Sequence, residues 1–254
     1  RAFGEGAGDK DFDISFIIGA ILPLSDIIES SVTIRGYSPD YSAPYSGGYS
    51  SLSRCYNQYG VTLNLYTQLS EKGSLSIISD GVYYPAPRYG VKTPSSEVEV
   101  KGVLEWNFSE GISAYLKGNY RYYGAVPSHK VGVRGHFLRE YPIGVYWSVR
   151  GEVVHNSRTD GEFPLGIAAY GECGYVAPSR RWEVAIRGTM WRVNDWENRI
   201  YFYQRDLPQS FSVPALYKRG WDVYGFAKYT PTRTVSLYLK ISLKEIKSQV
   251  NLLF

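Results

Sequence analysis

The stretch VSLYLKISL, from Val235 to Leu243, decides the fold class because its residue types alternate strictly. Every odd-numbered residue is Val, Leu or Ile, and every even-numbered residue is Ser, Tyr or Lys. Successive side chains of a β-strand point to opposite faces, whereas an α-helix repeats every 3.6 residues. The stretch therefore predicts a β-strand with one apolar and one polar face.

The same alternation recurs along the chain, with Arg, Lys and Glu in the middle of the polar faces. Counting such segments predicts about thirteen strands, near residues 11–20, 27–36, 58–69, 74–83, 97–108, 112–122, 130–138, 143–155, 165–176, 182–193, 221–229, 234–244 and 248–254. A soluble β-sandwich also alternates, but this many outward Tyr, Trp and Val residues would leave large apolar patches in water. We therefore expect an all-β antiparallel meander that forms a transmembrane β-barrel of the outer-membrane type.

The connections between the predicted strands alternate in length. Short turns are predicted at 23–26, 70–73, 109–111, 139–142, 177–181 and 230–233, and long loops at 37–57, 84–96, 156–164 and 194–220. Outer-membrane barrels place short turns in the periplasm and long loops outside. This orientation places aromatic residues at the two predicted membrane interfaces: Phe108, Trp182, Tyr229 and Phe254 at periplasmic ends, and Tyr59, Tyr83, Tyr122 and Trp221 at external ends.

The strand count predicts that residues 1–254 are the C-terminal part of one barrel. Bacterial single-chain barrels have an even number of strands, so about thirteen strands imply 14 or more in the full barrel. The chain also begins at Arg1, without a signal sequence. We expect the strand at 11–20 to pair with a strand from a separate upstream segment.

Four stretches resemble the C-terminal barrel region of a Bacteroidetes outer-membrane family that carries helix-hairpin-helix repeats upstream. They are RGYSPDYSAPYSGGYSS from Arg35, DGVYYPAPRYGVKTPSSEVEV from Asp80, ENRIYFYQRDLPQSFSVPALYKRGWDVYGFAKYTPTRTVSLYLKIS from Glu197, and EIKSQVNLLF from Glu245. The resemblance implies a bacterial outer-membrane location, a barrel, and an upstream domain with a link to DNA. With a net charge of only +4, spread evenly, we expect no nucleic acid to bind this region.

The residues offer little for catalysis or metal binding. Of the three His residues, only His155 has carboxylates nearby in sequence, Asp160 and Glu162, and we interpret it as a solvated loop residue. Cys55 and Cys173 have no metal-ligand spacing. We expect no catalytic, cofactor or metal site, and no enzymatic activity.

A set of charged residues falls on the predicted lumen face. A channel would use such charges to select solutes, but their mixed signs favour pairing across neighbouring strands, which leaves no wide pore. The set is Glu99, Lys101, Lys117, Arg121, Arg134, Arg150, Glu152, Glu172, Glu183 and Arg187.

The predicted external loop 194–220 is too apolar for a free loop. We expect it to fold as a hairpin over or into the barrel mouth, or to dock a partner. The candidate contact residues are Ile200, Tyr201, Phe202, Tyr203, Phe211, Val213, Leu216 and Tyr217.

Three functions follow, in order of preference. The first is a structural or docking subunit of an outer-membrane protein assembly. The second is a transport barrel for a small solute or a polymer, and the third is an outer-membrane hydrolase. The expected partners are the lipid bilayer and lipopolysaccharide, the upstream segment of the same barrel, and other outer-membrane proteins.

Overall fold

The fold is known from a computed structural model. It describes residues 1–42, 48–52, 54–158, 164–210, 213–243 and 246–252, the last of these as backbone only. No helix in this part of the chain has both the length and the apolar character needed to cross a membrane.

The chain is all-β, and its strands form one large antiparallel meander, as the sequence predicts. Among the described residues, fourteen strands follow one another through the sheet in chain order, except that a small hairpin intervenes after the eleventh. The first seven strands are β1 (Ala2–Gly8), β2 (Ile14–Ser25), β3 (Ile28–Tyr37), β4 (Gln58–Ser70), β5 (Gly73–Tyr84), β6 (Ser95–Ser109) and β7 (Ile112–Tyr123). The next four are β8 (Ser128–Glu140), β9 (Val145–Asn156), β10 (Leu165–Val176) and β11 (Trp182–Val193). A 3-10 helix (Trp196–Asn198) and the hairpin of β12 (Ile200–Tyr201) and β13 (Ala215–Leu216) precede β14 (Lys218–Tyr229), β15 (Val235–Ser242) and β16 (Ile246–Leu252).

The predicted count of about thirteen strands is one short of the fourteen found in the large sheet of the described residues. The additional strand is β1, which pairs with β2 from Ala2 opposite Ala20 to Gly8 opposite Ile14. Its sequence AFGEGAG has Gly at residues 4, 6 and 8, so it lacks the alternating large apolar residues and the β-branched composition that mark a strand.

With β1 included, the parity of the strand count no longer implies a missing strand. Fourteen is even, and the predicted first strand has β1 as its neighbour inside this chain. Within the described residues the sheet ends at β1 on one side and β16 on the other, and no ladder joins the two.

The turns at 71–72 and 110–111 lie within the predicted ranges, whereas β2 continues through Pro23 to Ser25, so that the first turn is limited to 26–27. Gly111 has a φ of 70°. A Cβ atom there would lie 2.4 Å from the Glu140 carbonyl oxygen, so the tight turn between β6 and β7 requires glycine. At the opposite strand ends the connections are mostly longer, notably 38–57, 85–94 and 194–217.

The described chain divides into two compact units. Unit 1 comprises Arg1–Leu104 and Lys117–Val131, and unit 2 comprises Glu105–Leu116 and Gly132–Phe254.

In each unit the apolar face of the sheet is exposed and the polar face is buried. In β15 of unit 2, Leu239 is 40% exposed and Lys240 is 3% exposed. In β4 of unit 1, Leu63 is 52% exposed and Thr62 is 2% exposed. The predicted outward set in β15 therefore lies outside the core, as expected, and the distribution is the reverse of that in a water-soluble sheet.

Aromatic side chains pair at strand ends on the apolar face. Trp182 at the start of β11 stacks on Tyr229 at the end of β14, with ring centroids 4.0 Å apart. Tyr59 and Tyr83 are ladder partners at the other end of β4 and β5. The expected terminal aromatic, Phe254, lies outside the described residues.

Candidate functional site

The connection 194–217 of unit 2 folds back onto the polar face of the sheet. Its hairpin places Ile200, Phe202 and Leu216 in a buried cluster with side chains of β9, β10 and β11. The Phe202 ring meets the Tyr170 ring edge-on, with centroids 5.3 Å apart. These contacts bury the apolar residues of the loop, which is the physical reason that it folds inward.

Two side-chain hydrogen bonds, one from an Asp and one from an Asn residue, hold the start of the loop. The Asp195 carboxylate accepts a hydrogen bond from the Glu197 backbone N–H at 2.8 Å and so caps the 3-10 helix. The fully buried Asn198 donates from Nδ2 to the Pro164 carbonyl oxygen at 2.8 Å. Gly166 permits this approach, because a Cβ atom there would lie 2.3 Å from the Asn198 carbonyl oxygen.

Buried charges connect the loop to the strands around Glu172 of β10. Arg187 of β11 donates from Nε to the Glu172 carboxylate at 2.7 Å, and the Tyr146 hydroxyl donates to the same carboxylate at 3.0 Å. Arg205 of the loop also approaches Glu172, at 3.4 Å, and forms an ion pair with Glu183 of β11. The side chains of Glu172 and Arg187 are only 4% and 7% exposed, so each depends on the other for stabilisation of its charge.

Arg205 remains charged in this setting. Burial disfavours its charged guanidinium, but Tyr146 and the carboxylates of Glu172 and Glu183 outweigh that effect and raise the pKa of Arg205 above its ordinary value. Its backbone N–H also donates to the Tyr224 hydroxyl at 3.2 Å.

The next loop residue makes a second connection. The side chains of Asp206 and Lys240 of β15 are 4% and 3% exposed and form an ion pair at 3.2 Å. Arg187 adds a hydrogen bond of 2.6 Å to the Tyr203 carbonyl oxygen. The loop is therefore fastened to β10, β11, β14 and β15 by charged and polar contacts as well as by its apolar cluster.

A further group of charged side chains lies on β8 and β9. Arg134 donates two hydrogen bonds to Glu152, at 2.7 and 3.2 Å, and Arg150 donates one at 3.0 Å. The Arg150 guanidinium also lies 4.6 Å from the centroid of the Phe202 ring. This group therefore contacts the inward-folded loop from the side of β9.

Unit 1 has a separate polar cavity of about 180 Å³, lined by side chains that include Tyr49, Ser51, Asp80 and Glu97. At its wall, Arg35 donates to both carboxylate oxygens of Asp80, at 2.8 and 2.9 Å. The Arg35 side chain is completely buried and also donates to Ser51 at 2.7 Å.

Glu97 forms the other charged wall of this cavity. It forms ion pairs with Arg88 and, at 3.6 Å, with Arg121. The Arg88 guanidinium lies over the Tyr84 ring, 3.9 Å from its centroid. The cavity therefore combines charges of both signs that already have partners within the protein.

The predicted lumen charges are only partly brought together in the predicted manner. Three pairs among the described residues cross neighbouring strands: Arg121 with Glu97, Arg134 with Glu152, and Arg187 with Glu172. Glu183 instead pairs with the loop residue Arg205.

Other members of the set depart from the expected cross-strand pattern. Glu99 and Lys101 pair at 2.7 Å within the single strand β6, as Arg150 does with Glu152 in β9, because side chains two residues apart share a face. Lys117 is half-buried and has no ion pair among the described residues.

The predicted partner contacts require a correction. Ile200, Phe202 and Leu216 are 1%, 1% and 3% exposed, so they pack inside unit 2 and are not available to another protein. Val213 is half-buried. Three predicted contacts, Tyr201, Tyr203 and Tyr217, are exposed, and Phe211 lies outside the described residues.

Sequence reasoning missed the charged residues Arg35, Asp80, Arg205 and Asp206. Arg35 and Asp80 lie in strands, and the alternation of β3 and β5 could have assigned them to the polar face. Arg205 and Asp206 lie in a loop, where no periodicity indicates which way a side chain points.

The His and Cys residues considered for catalysis or metal binding occupy the following places in the structure. His155 lies in β9 instead of a loop, and its Nδ1 is 3.1 Å from the Pro164 carbonyl oxygen. Its suggested partners Asp160 and Glu162 lie outside the described residues. Cys55 is buried and Cys173 exposed, both as free thiols. Across the described ranges, no group of three or more His, Cys, Asp and Glu residues is arranged to hold a metal ion.

Comparison with known proteins adds no relative. The chain matches no protein-family model, and no curated protein matches it significantly.

Proposed function

We propose that this protein is a β-barrel of the bacterial outer membrane that acts as a structural or docking subunit of a membrane protein assembly. One observation carries the proposal: aliphatic side chains are exposed along strands whose opposite face buries Arg, Lys and Glu. In β11, for example, Ile186 is 52% exposed and its neighbour Arg187 is 6% exposed.

Solvation explains why this arrangement suits a bilayer. Exposed Leu, Ile, Val and Trp over several adjacent strands would form a large apolar patch in water, whereas lipid chains solvate them. A lipid-spanning sheet must also pair its edges, because each unsatisfied backbone group in hydrocarbon costs several kcal/mol. The resemblance to the helix-hairpin-helix family suggests that a strand from an upstream segment covers the edge of β1.

The inward-folded loop supports a structural or docking role over transport. It covers part of the polar face of unit 2 with buried apolar residues and ion pairs, which occupy space that a transport path along this face would need. On its exposed side, the Arg199 guanidinium lies 4.6 Å from the Trp196 ring centroid and donates to the Tyr201 hydroxyl at 2.6 Å. The Trp196 ring meets Tyr217 edge-on at 5.4 Å. Exposed Trp, Tyr and Arg are the residue types enriched in protein interfaces.

The substitution Leu239→Arg tests the membrane placement. In water this exposed position would tolerate Arg within about 0.5 kcal/mol. At mid-depth in a bilayer, the same substitution should destabilise the folded chain by about 2–4 kcal/mol. The measurement is denaturant unfolding of the chain inserted in lipid vesicles, with Thr232→Arg in the turn after β14 as the matched control. Equal stability of the two variants would refute the membrane placement.

Two further measurements separate docking from transport. Purification from native membranes should recover partner proteins with the wild-type chain and lose them with Trp196→Ala, while Trp182→Ala at the opposite end of the sheet retains them. Planar bilayers should show no large steady conductance. A large open conductance with no associated protein would favour the transport barrel.

A further inference from the structure

The polar cavity of unit 1 has walls suited to a small ligand. Its volume of about 180 Å³ is below the roughly 300–1,000 Å³ of pockets for drug-sized molecules, so it has room for one small solute. Its described walls come from β5, β6, β7 and the segment 49–51. Tyr49 in that segment is 48% exposed, so this wall also reaches the surface of the described chain.

The charges of the cavity favour an uncharged ligand. Arg121 is the one basic side chain among the described lining residues, which also include three carboxylates, so an anion would meet mostly negative groups. A cation would find no uncompensated carboxylate, because each of the three already has a basic partner. The pairs are Asp80 with Arg35, Glu97 with Arg88 and Arg121, and Glu99 with Lys101.

The hydrogen-bonding groups of the cavity match hydroxyl groups. The Arg121 Nη2 and Glu97 Oε2 atoms are 3.6 Å apart, which is too far for a direct hydrogen bond. The Arg121 Nε is buried and has no hydrogen-bond partner in the described part of the chain. A hydroxyl group donates and accepts, so it can accept from the guanidinium and donate to a carboxylate at the same time. Because both protein groups are charged, such hydrogen bonds are strong.

Tyr49 adds an aromatic surface. The Arg35 guanidinium lies over its ring, 4.7 Å from the centroid, and about half of the side chain is still exposed. Tyr84, which also lines the cavity, is 1% exposed, and the Arg88 guanidinium lies over its ring. Tyr49 is therefore the ring on which a ligand can pack, and the C–H groups on one face of a sugar ring form an apolar surface for that contact.

We propose that this cavity binds one neutral sugar ring, whose hydroxyl groups bridge Arg121 with the carboxylates of Glu97 and Glu99, and whose C–H face packs on Tyr49. The ligand is a sugar because it combines adjacent hydroxyl groups with an apolar face and carries no charge. The proposal does not depend on the membrane placement, because it rests on contacts within unit 1 alone.

The first test is a ligand-observed NMR titration of the full chain in detergent micelles. The neutral probes are D-glucose, D-galactose and D-mannose, and the charged probes are glucosamine and glucuronate. At least one neutral sugar should saturate the chain and bind more tightly than either charged probe. The absence of saturable binding by all three neutral sugars would overturn the proposal, as would tighter binding of glucosamine or glucuronate.

The second test locates the bound sugar with matched variants. Arg121→Gln should weaken its binding about tenfold, because a hydrogen bond to a charged group is lost. Lys117→Gln, which removes a half-buried charge from the same face of β7 outside the cavity lining, should leave the affinity unchanged. Equal loss of affinity in these two variants, or none in Arg121→Gln, would overturn the proposal.

Tyr49 provides an independent arm that removes no charge. Tyr49→Ala should weaken sugar binding about fivefold, whereas Tyr49→Phe, which keeps the ring, should bind like the wild type. This arm decides the outcome if Arg121→Gln does not fold. Unchanged affinity in Tyr49→Ala would then show that the sugar does not bind in this cavity.

Discussion

The ion pair between Asp206 and Lys240 gives a direct test of whether the loop is fastened to the sheet. Both side chains are more than nine-tenths buried, and their charged atoms are 3.2 Å apart. Removing one partner of a buried pair leaves an uncompensated charge, which typically costs about 3–5 kcal/mol. Replacing both partners with neutral groups removes that penalty and is often close to neutral.

The contacts that remain after each single substitution predict which of the two variants is more destabilised. In Lys240→Met, Asp206 keeps the hydrogen bond from the Leu207 backbone N–H at 2.8 Å. In Asp206→Asn, Lys240 keeps its contact with the Tyr224 ring, 5.2 Å from the centroid. A backbone N–H compensates a charge better than a ring at that distance. We therefore expect about 3 kcal/mol of destabilisation for Lys240→Met and slightly more for Asp206→Asn, each at the low end of the range for a broken buried pair.

The assay is a double-mutant cycle by urea unfolding of the chain in lipid vesicles, monitored by Trp fluorescence. The double variant Asp206→Asn/Lys240→Met should lie within about 1 kcal/mol of wild type, so the two substitutions should be strongly non-additive. Limited proteolysis should also cut the loop faster in the single variants than in the double variant. Additive effects, or single-variant losses under about 0.5 kcal/mol, would show that the loop is not held by this pair.

Three other substitutions probe local features. Gly111→Ala should destabilise the chain by about 1–3 kcal/mol in the same unfolding assay, because of its positive φ and the nearby carbonyl, whereas Gly135→Ala, whose Cβ meets nothing, should change little. Asp80→Asn should cost about 3 kcal/mol or more, because it leaves the buried Arg35 guanidinium without a counter-charge, and a loss below about 1 kcal/mol would contradict the ion-pair geometry. Desolvation opposes the charge of Asp9, but three backbone N–H groups hold its pKa below the ordinary value, so its stabilisation of the first turn is present above about pH 4 and is lost as pH falls through the folded-state pKa. The protection factors of the backbone amides in that turn, which correct for the intrinsic pH dependence of exchange, should fall on acidification in wild type, and Asp9→Asn should remove this decrease.

The sequence alone determined the strands and the face to which most of their side chains belong. In β15, the alternation of Leu239 and Lys240 assigns one residue to each face, because the backbone geometry of a strand leaves no other choice. The short turns were predictable for the same local reason, since Gly111 and its neighbours permit only a tight reversal. Strand β1 was not predicted, because its Gly residues adopt the extended conformation of a strand without the alternation of apolar and polar side chains.

Only the tertiary structure decided what the loop does. The apolar residues of 194–217 predicted burial, but sequence could not choose between the interior of this chain and another protein. The choice depends on side chains far away in sequence: Phe202 finds Tyr170, and Arg205 finds Glu172 and Glu183. The position of Glu172 opposite Arg187 is likewise not visible in the sequence, because the register of β10 and β11 brings the two residues together. Local backbone geometry assigns a residue to a face, whereas partners across a sheet are selected by register and packing.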